Sequence, residues 1–266
     1  MRKAFGYIPE PPNPKHWKTE RVYGAAFSTI LPGLGVDLGK PVDMRELSPV
    51  RHDQGEAGTC VANAAAKAVE VKTLRETGSY KDLSRLAIYF LARELMVPSR
   101  TQEDYGTYIS LGFDAIRRFG APLEKDWPYH LQKLYTSPDW GVMLKAHKNR
   151  LDGFFKLESG GDELLKEVHH QLSLGRPVVF GTGVDKSLLR YRKGQTLHAP
   201  LEAAIEGYHA MTILGWTGSQ WIIENSWGPD WGDNGFALAD KDYLLGETAS
   251  EFWITTLPFE GVEVQK

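Results

Sequence analysis

The chain has 266 residues, 42% of them hydrophobic and 24% charged, with a formal net charge of −3. That composition belongs to a soluble globular protein rather than a disordered or collagen-like one, and the length suffices to bury a core without cross-links. There is no basic excess or Lys/Arg run to track a phosphate backbone, which argues against nucleic acid, and no apolar stretch approaches the roughly 18 residues needed to cross a bilayer.

Residues 1–41 carry Pro9, Pro11, Pro12, Pro14, Pro32 and Pro41 among several glycines and read as an extended N-terminal arm with little regular structure. The N-terminus lacks the apolar core of a signal peptide. Cys60 is the single cysteine, so no intrachain disulfide can form. Together these features predict folding in a reducing, cytoplasmic compartment.

After the arm, Gln54-Gly-Glu-Ala-Gly-Thr-Cys60 leads into Val61, Ala64, Ala65, Ala68, Val69 and Leu74 at helical spacing, with Gly78 as the stop. Further helices are predicted at Leu86–Leu95, at Tyr108–Phe119 closed by Gly120, and at Asp162–Leu174 closed by Gly175. The chain then changes character. Short, partly β-branched runs at 177–181, 210–216, 221–225, 235–239 and 252–256, separated by Gly, Asp or Ser clusters, predict an antiparallel sheet. A helical half (about 42–175) before a strand-rich half (about 176–257) predicts an α+β fold with a cleft between two lobes.

Cys60 would stand at a helix N-terminus, where unpaired N–H groups and the helix dipole stabilise a thiolate. A lone cysteine can equally be a small buried hydrophobe. His209 can be a core histidine, Asn225 a turn residue, and Trp227 and Trp231 plain core aromatics. Competing motifs fail on spacing. Gly33 to Lys40 lacks the glycine spacing of a phosphate loop, and Pro41 replaces its Ser/Thr. His169 and His170 are adjacent on a predicted helix and cannot share a face to hold a metal.

Gly207-Tyr-His209-Ala and Asn225-Ser-Trp-Gly-Pro-Asp-Trp-Gly-Asp-Asn-Gly235-Phe, taken with Gln54 six residues before Cys60, resemble the papain family of cysteine peptidases. The resemblance spans residues 42 to about 257 and is strongest to bacterial and phage-type members without disulfides; Val42-Asp-Met-Arg-Glu, Tyr105-Gly-Thr-Tyr, Trp127-Pro-Tyr129 and Phe252-Trp-Ile agree with it. It implies a papain-like two-lobed domain over 42–266, with a helical lobe, an antiparallel, barrel-like second lobe and the active site in the cleft. It also implies a catalytic Cys60, His209 and Asn225, with Gln54 in the oxyanion hole and Trp227 covering the His–Asn bond. Gly106 and Thr107 would pair with an extended peptide, and Gly181, Tyr208 and Ala210 would line a roomy, apolar specificity pocket.

The implied activity is peptide-bond hydrolysis through a thioester, with no cofactor and no metal. Peptide or protein substrates and a proteinaceous inhibitor would be the partners, with neither membrane nor nucleic acid among them. The alternatives are acyl transfer by the same residues and an inactive binding protein on the same fold. Three departures from the family pattern stand out. Ala57 occupies the place of a disulfide cysteine, Val61 that of a tryptophan, and Tyr208 precedes the histidine. The arm lacks the long charged helix of the family's propeptides, so it is expected to wrap the lobes and stay attached rather than to inhibit.

Overall fold

The computed structural model describes residues 5–19 and 27–256. The alanine-rich run after Cys60 becomes helix Cys60–Thr77, ended by Gly78 at φ 68°, where only a residue free of a Cβ penalty turns the chain without strain. Every residue from Cys60 to Lys72 is buried, so this is a core helix clothed on all sides. Its small side chains admit close neighbours. A Cβ added at Gly112 would lie 2.9 Å from Val61 Cγ1, so Val61 is sized by that helix contact.

Among the described residues the α-helices, in chain order, are α1 (Phe27–Leu34), α2 (Cys60–Thr77), α3 (Arg85–Met96), α4 (Ile109–Phe119), α5 (Trp140–Ala146), α6 (Gly161–Ser173) and α7 (Lys186–Leu189). Ser84 caps α3 through the Ala87 N–H, and Asp139 caps α5 through that of Val142. Helix α1 departs from the expectation of an irregular arm; Pro32 within it gave the sequence a break signal.

The strands are β1 (Val42–Asp43), β2 (Gly153–Lys156), β3 (Val178–Val184), β4 (Gly207–Trp216), β5 (Gln220–Glu224), β6 (Phe236–Asp240) and β7 (Ser250–Thr256). They form one antiparallel sheet in the order β2-β7-β3-β4-β5-β6, with β1 on β4. The expected barrel-like closure does not occur. Strand β2 pairs along only four residues of β7, and β6 pairs with β5, leaving both edges open. Other chain covers those edges, as Lys18 bridges Lys156 and Leu197 bridges Ala239.

Among the described residues two large apolar cores result, with a small third cluster at Leu91, Ala92 and Ala115. One, holding Phe180, Trp216, Trp221 and Phe252, lies between the sheet and α6. The other surrounds α2 with Tyr89, Phe113 and Ile116 and reaches Val179, Ala210 and Trp253 on the sheet. Thr212 Oγ1 donates to Ala64 O (3.2 Å) and Lys72 Nζ to Thr255 O (3.0 Å), fastening α2 across the seam. The N-terminus of α2 therefore opens where the helical half meets β4.

Candidate active site

Cys60 is the first residue of α2, and Thr59 before it makes no side-chain cap. The turn is fixed from outside instead. Thr59 Oγ1 and Tyr129 Oη lie 2.6 Å apart, and Tyr129 Oη donates to Gln54 O (3.0 Å). The Gly58 N–H donates to Asp104 Oδ2 (2.9 Å), and Tyr89 Oη donates to Asp104 Oδ1 (2.5 Å) while accepting from the Gly106 N–H (3.0 Å). Asp104 and Tyr89 thus tie the loop before Cys60 to the wall at Gly106. Nothing local in the sequence marks them; the Tyr105-Gly-Thr-Tyr run next to Asp104 is the nearest signal.

Gln54 is fully buried, and its amide is held at both ends. Its Nε2 donates to Ala57 O (2.8 Å), and its Oε1 accepts from Ser226 Oγ (2.6 Å). The backbones join as well, Gln54 N–H to Ser226 O at 2.8 Å. Ser226, inside the Asn-Ser-Trp run but assigned no role from sequence, is the residue that orients this amide.

His209 stands on β4 opposite Thr182, and Asn225 follows β5. His209 Nε2 and Asn225 Oδ1 are 2.8 Å apart, a pairing that needs the proton on Nε2. Asn225 Oδ1 also accepts from the Ser226 N–H (2.7 Å), which holds the amide in place. The Trp227 ring covers the imidazole, with centroids 4.7 Å apart at 32°, and Trp231 braces Trp227 edge-on at 5.6 Å. His209 is fully buried and Asn225 nearly so.

The Cys60 thiol is also fully buried, and burial pushes its pKa up to about 11. N–H groups of Ala210, Gly6, Val61 and Cys60 itself act the other way without prevailing. The expected thiolate at a helix N-terminus is therefore overruled by desolvation in this state. What lies over the sulfur is the arm. Gly6 packs so closely on Gly58 that a Cβ there would overlap the Gly58 carbonyl, and a Cβ at Gly106 would overlap Gly6. Thr107 N–H donates to Gly6 O (2.9 Å) and Ile8 N–H to Thr107 O (3.1 Å), forming a parallel bridge centred on Tyr7. Phe5 reaches Trp227, centroids 6.5 Å apart.

Residues 5–10 thus occupy the cleft, where the sequence suggested a strap around the lobes. The sequence carries no signal for this, because the docking depends on close approach of glycines in three separate segments. The cleft also brings together the expected pocket residues: Gly106 and Thr107 pair with the arm, while Gly181, Tyr208 and Ala210 surround Tyr7.

Behind Asn225 lies a buried charged cluster. Lys67 Nζ donates to Val50 O (2.6 Å) and sits 3.3 Å from Glu70 and 3.5 Å from Glu224. His52, Glu70 and Asp82 have ligand-type atoms within 4.8 Å of one another, but Lys67 and Arg85 already lie against these carboxylates. His169 Nε2 is 2.8 Å from Lys40 O.

Residues 38–248 match the sequence model of the papain family cysteine proteases. An uncharacterised peptidase C1-like protein of Acanthamoeba polyphaga mimivirus is 29% identical, over 96% of this chain and 87% of its own length. Human cathepsin L2 is 24% identical over 79% of this chain, which spans 63% of that protein. Among solved structures, xylellain, a cysteine protease from Xylella fastidiosa, superposes with a TM-score of 0.78 at 23% identity, over 97% of this chain and 99% of the other.

Proposed function

From the premise that this chain belongs to the papain family of cysteine proteases, we propose that it hydrolyses peptide bonds through Cys60, His209 and Asn225, with a thioester intermediate. The Cys60 thiol passes its proton to His209 Nδ1 as its sulfur attacks the scissile carbonyl carbon. The developing oxyanion is met by N–H groups of Gln54 Nε2 and the Cys60 backbone, and His209 Nδ1 delivers a proton to the departing amine. Water, deprotonated by the same imidazole, then attacks the thioester, and the C–S bond breaks to release the acid and the thiol.

The observation that carries this reading is the 2.8 Å bond from His209 Nε2 to Asn225 Oδ1 under Trp227. It holds the ring in one tautomer and orientation and so commits Nδ1 to proton transfer, as the third member of a triad does. The docked arm marks a resting state of the enzyme. Cys60 is buried beneath Gly6, and that burial disfavours its thiolate, so turnover begins when residues 5–10 leave the cleft.

The test is labelling of the full chain with an epoxide directed at active-site thiols, read by intact mass, for wild type, Cys60→Ala and His209→Ala. A single adduct on wild type and none on either variant is expected. An adduct forming on His209→Ala at the wild-type rate would remove the proton-transfer role of His209. Masses of peptide products with and without an added amine separate hydrolysis from acyl transfer.

A further inference from the structure

We propose that the cleft carries a phenol-selecting pocket: the side chain it takes from an extended peptide is tyrosine, with Ser250 as the specificity-determining residue and Gly181 as the residue that makes room. This rests on the reading of the cleft as a peptide site.

The arm supplies the ligand. Tyr7 is only 4% exposed and belongs to the core cluster that contains Cys60, Val179 and Ala210. Its ring lies over Gly181, where any Cβ would overlap it, and the Tyr208 ring stands edge-on to it at 6.4 Å and 83°. The pocket is therefore shaped for a flat ring. Its inner end is polar, unlike the apolar pocket expected from Gly181 alone. Tyr7 Oη lies 3.1 Å from Ser250 Oγ, 243 residues away in the chain.

That polar end is built by a backbone irregularity. Between the pairs Val179–Trp253 and Gly181–Ser250, β7 spends one more residue than β3, and Glu251 takes φ 56°, a left-handed conformation that a non-glycine residue adopts only under strain. Successive strand residues normally face opposite ways. Here the bulge turns both toward the arm: Ser250 meets the phenol, whose hydroxyl also bonds the Glu251 carboxyl, and Glu251 Oε1 accepts from the Glu10 N–H at 2.6 Å. A phenylalanine in this pocket would fill the same space and leave the Ser250 hydroxyl without its partner; an aliphatic side chain would leave the ring slot partly empty as well.

Two measurements on the full chain test this. The first reads pocket occupancy without any need for peptidase activity: the alkylation rate of Cys60 by a small thiol reagent, which reports release of the arm. Tyr7→Phe should speed alkylation about tenfold and Ser250→Ala less, and the double variant should be no faster than Tyr7→Phe alone, because without the phenol oxygen Ser250 has nothing left to bond there. Unchanged rates, or effects that multiply, overturn the proposal.

The second uses Tyr7→Ala, which empties the pocket, and a set of fluorogenic peptides carrying Tyr, Phe, Leu or Arg at the position that enters it. Tyr should exceed Phe about tenfold in kcat/KM, and adding Ser250→Ala should cut that preference several-fold. Cleavage that favours Phe, Leu or Arg with Ser250 intact overturns the pocket assignment. If no peptide is cleaved while the alkylation result holds, the peptidase reading falls and the pocket assignment stands.

Discussion

Ser226 Oγ donates a 2.6 Å hydrogen bond to Gln54 Oε1, and that bond decides which way the Gln54 amide faces. With the oxygen anchored to Ser226, the NH2 end is turned to Ala57 O, which is where the proposed mechanism needs a donor for the oxyanion. Ser226→Ala frees the amide to turn its oxygen toward the developing negative charge. The expected result is a fall in kcat of about tenfold with KM little changed, and a fall of about a hundredfold or more for Gln54→Ala, which deletes the donor. Steady-state kinetics on both variants checks the order.

Gly6 meets Cys60 through its backbone, and it has no room for a side chain. Gly6→Ala should expel residues 5–10 from the cleft, since the new methyl would overlap the rigid Gly58 carbonyl. Overpacking of this kind costs about 1–3 kcal/mol, so Cys60 alkylation and peptide turnover should both rise about ten- to a hundredfold. Equal rates for Gly6→Ala and wild type would mean that the arm does not limit access to Cys60.

Arm docking should weaken as pH rises from about 4.5 to 7. Burial pushes the Glu251 carboxyl up to about 7 in the docked state, with the Glu10 N–H and Lys156 acting against that and the Glu10 carboxylate adding to it. Around the same contact, Ser110 Oγ of α4 donates to Glu10 (2.5 Å), and His16, 3.4 Å from Glu10, stacks edge-on against Trp253. A carboxyl with its pKa raised on docking favours the docked form most below its free value. That contribution fades as pH climbs through the docked value. Cys60 alkylation, corrected for thiolate fraction, should therefore accelerate over this window in wild type and stay flat in Glu251→Gln.

Lys67 is a buried cation shared by two carboxylates, at 3.3 Å from Glu70 and 3.5 Å from Glu224. Lys67→Met leaves both without it, which should destabilise the fold by about 3–5 kcal/mol. Burial already raises the Glu224 pKa, Lys67 opposes that, and removing Lys67 will raise it further. The deficit should consequently grow with pH, because more charge must then stay buried uncompensated. Urea denaturation at pH 5 and pH 8 measures both the loss and its slope.

The elements around the site were legible where a pattern was strong and local. The run after Cys60 gave α2 to within a residue, and Gly78 and Gly120 marked true helix ends. The residues expected to act together, Gln54, Cys60, His209 and Asn225, were identifiable because each sits in a short motif at the start of a helix, on a strand or just past one. Strand β1, of two residues, and β2, of four, are too short to show a period. The arm's place in the cleft was invisible for another reason. It arises from Gly6, Gly58, Gly106 and Gly181, whose lack of side chains becomes informative only once the fold has brought them together.

The arm and the cleft belong to one chain, so their association is unimolecular. Diluting the protein will not empty the site, because a tethered segment faces it at an effective concentration on the order of millimolar whatever the bulk concentration. A free peptide must compete with that local excess, and its apparent KM carries the handicap. Sensitivity to substrate is thus set by how firmly Phe5 to Glu10 are seated, and it can drift through changes in those few residues while Cys60, His209 and Asn225 stay as they are.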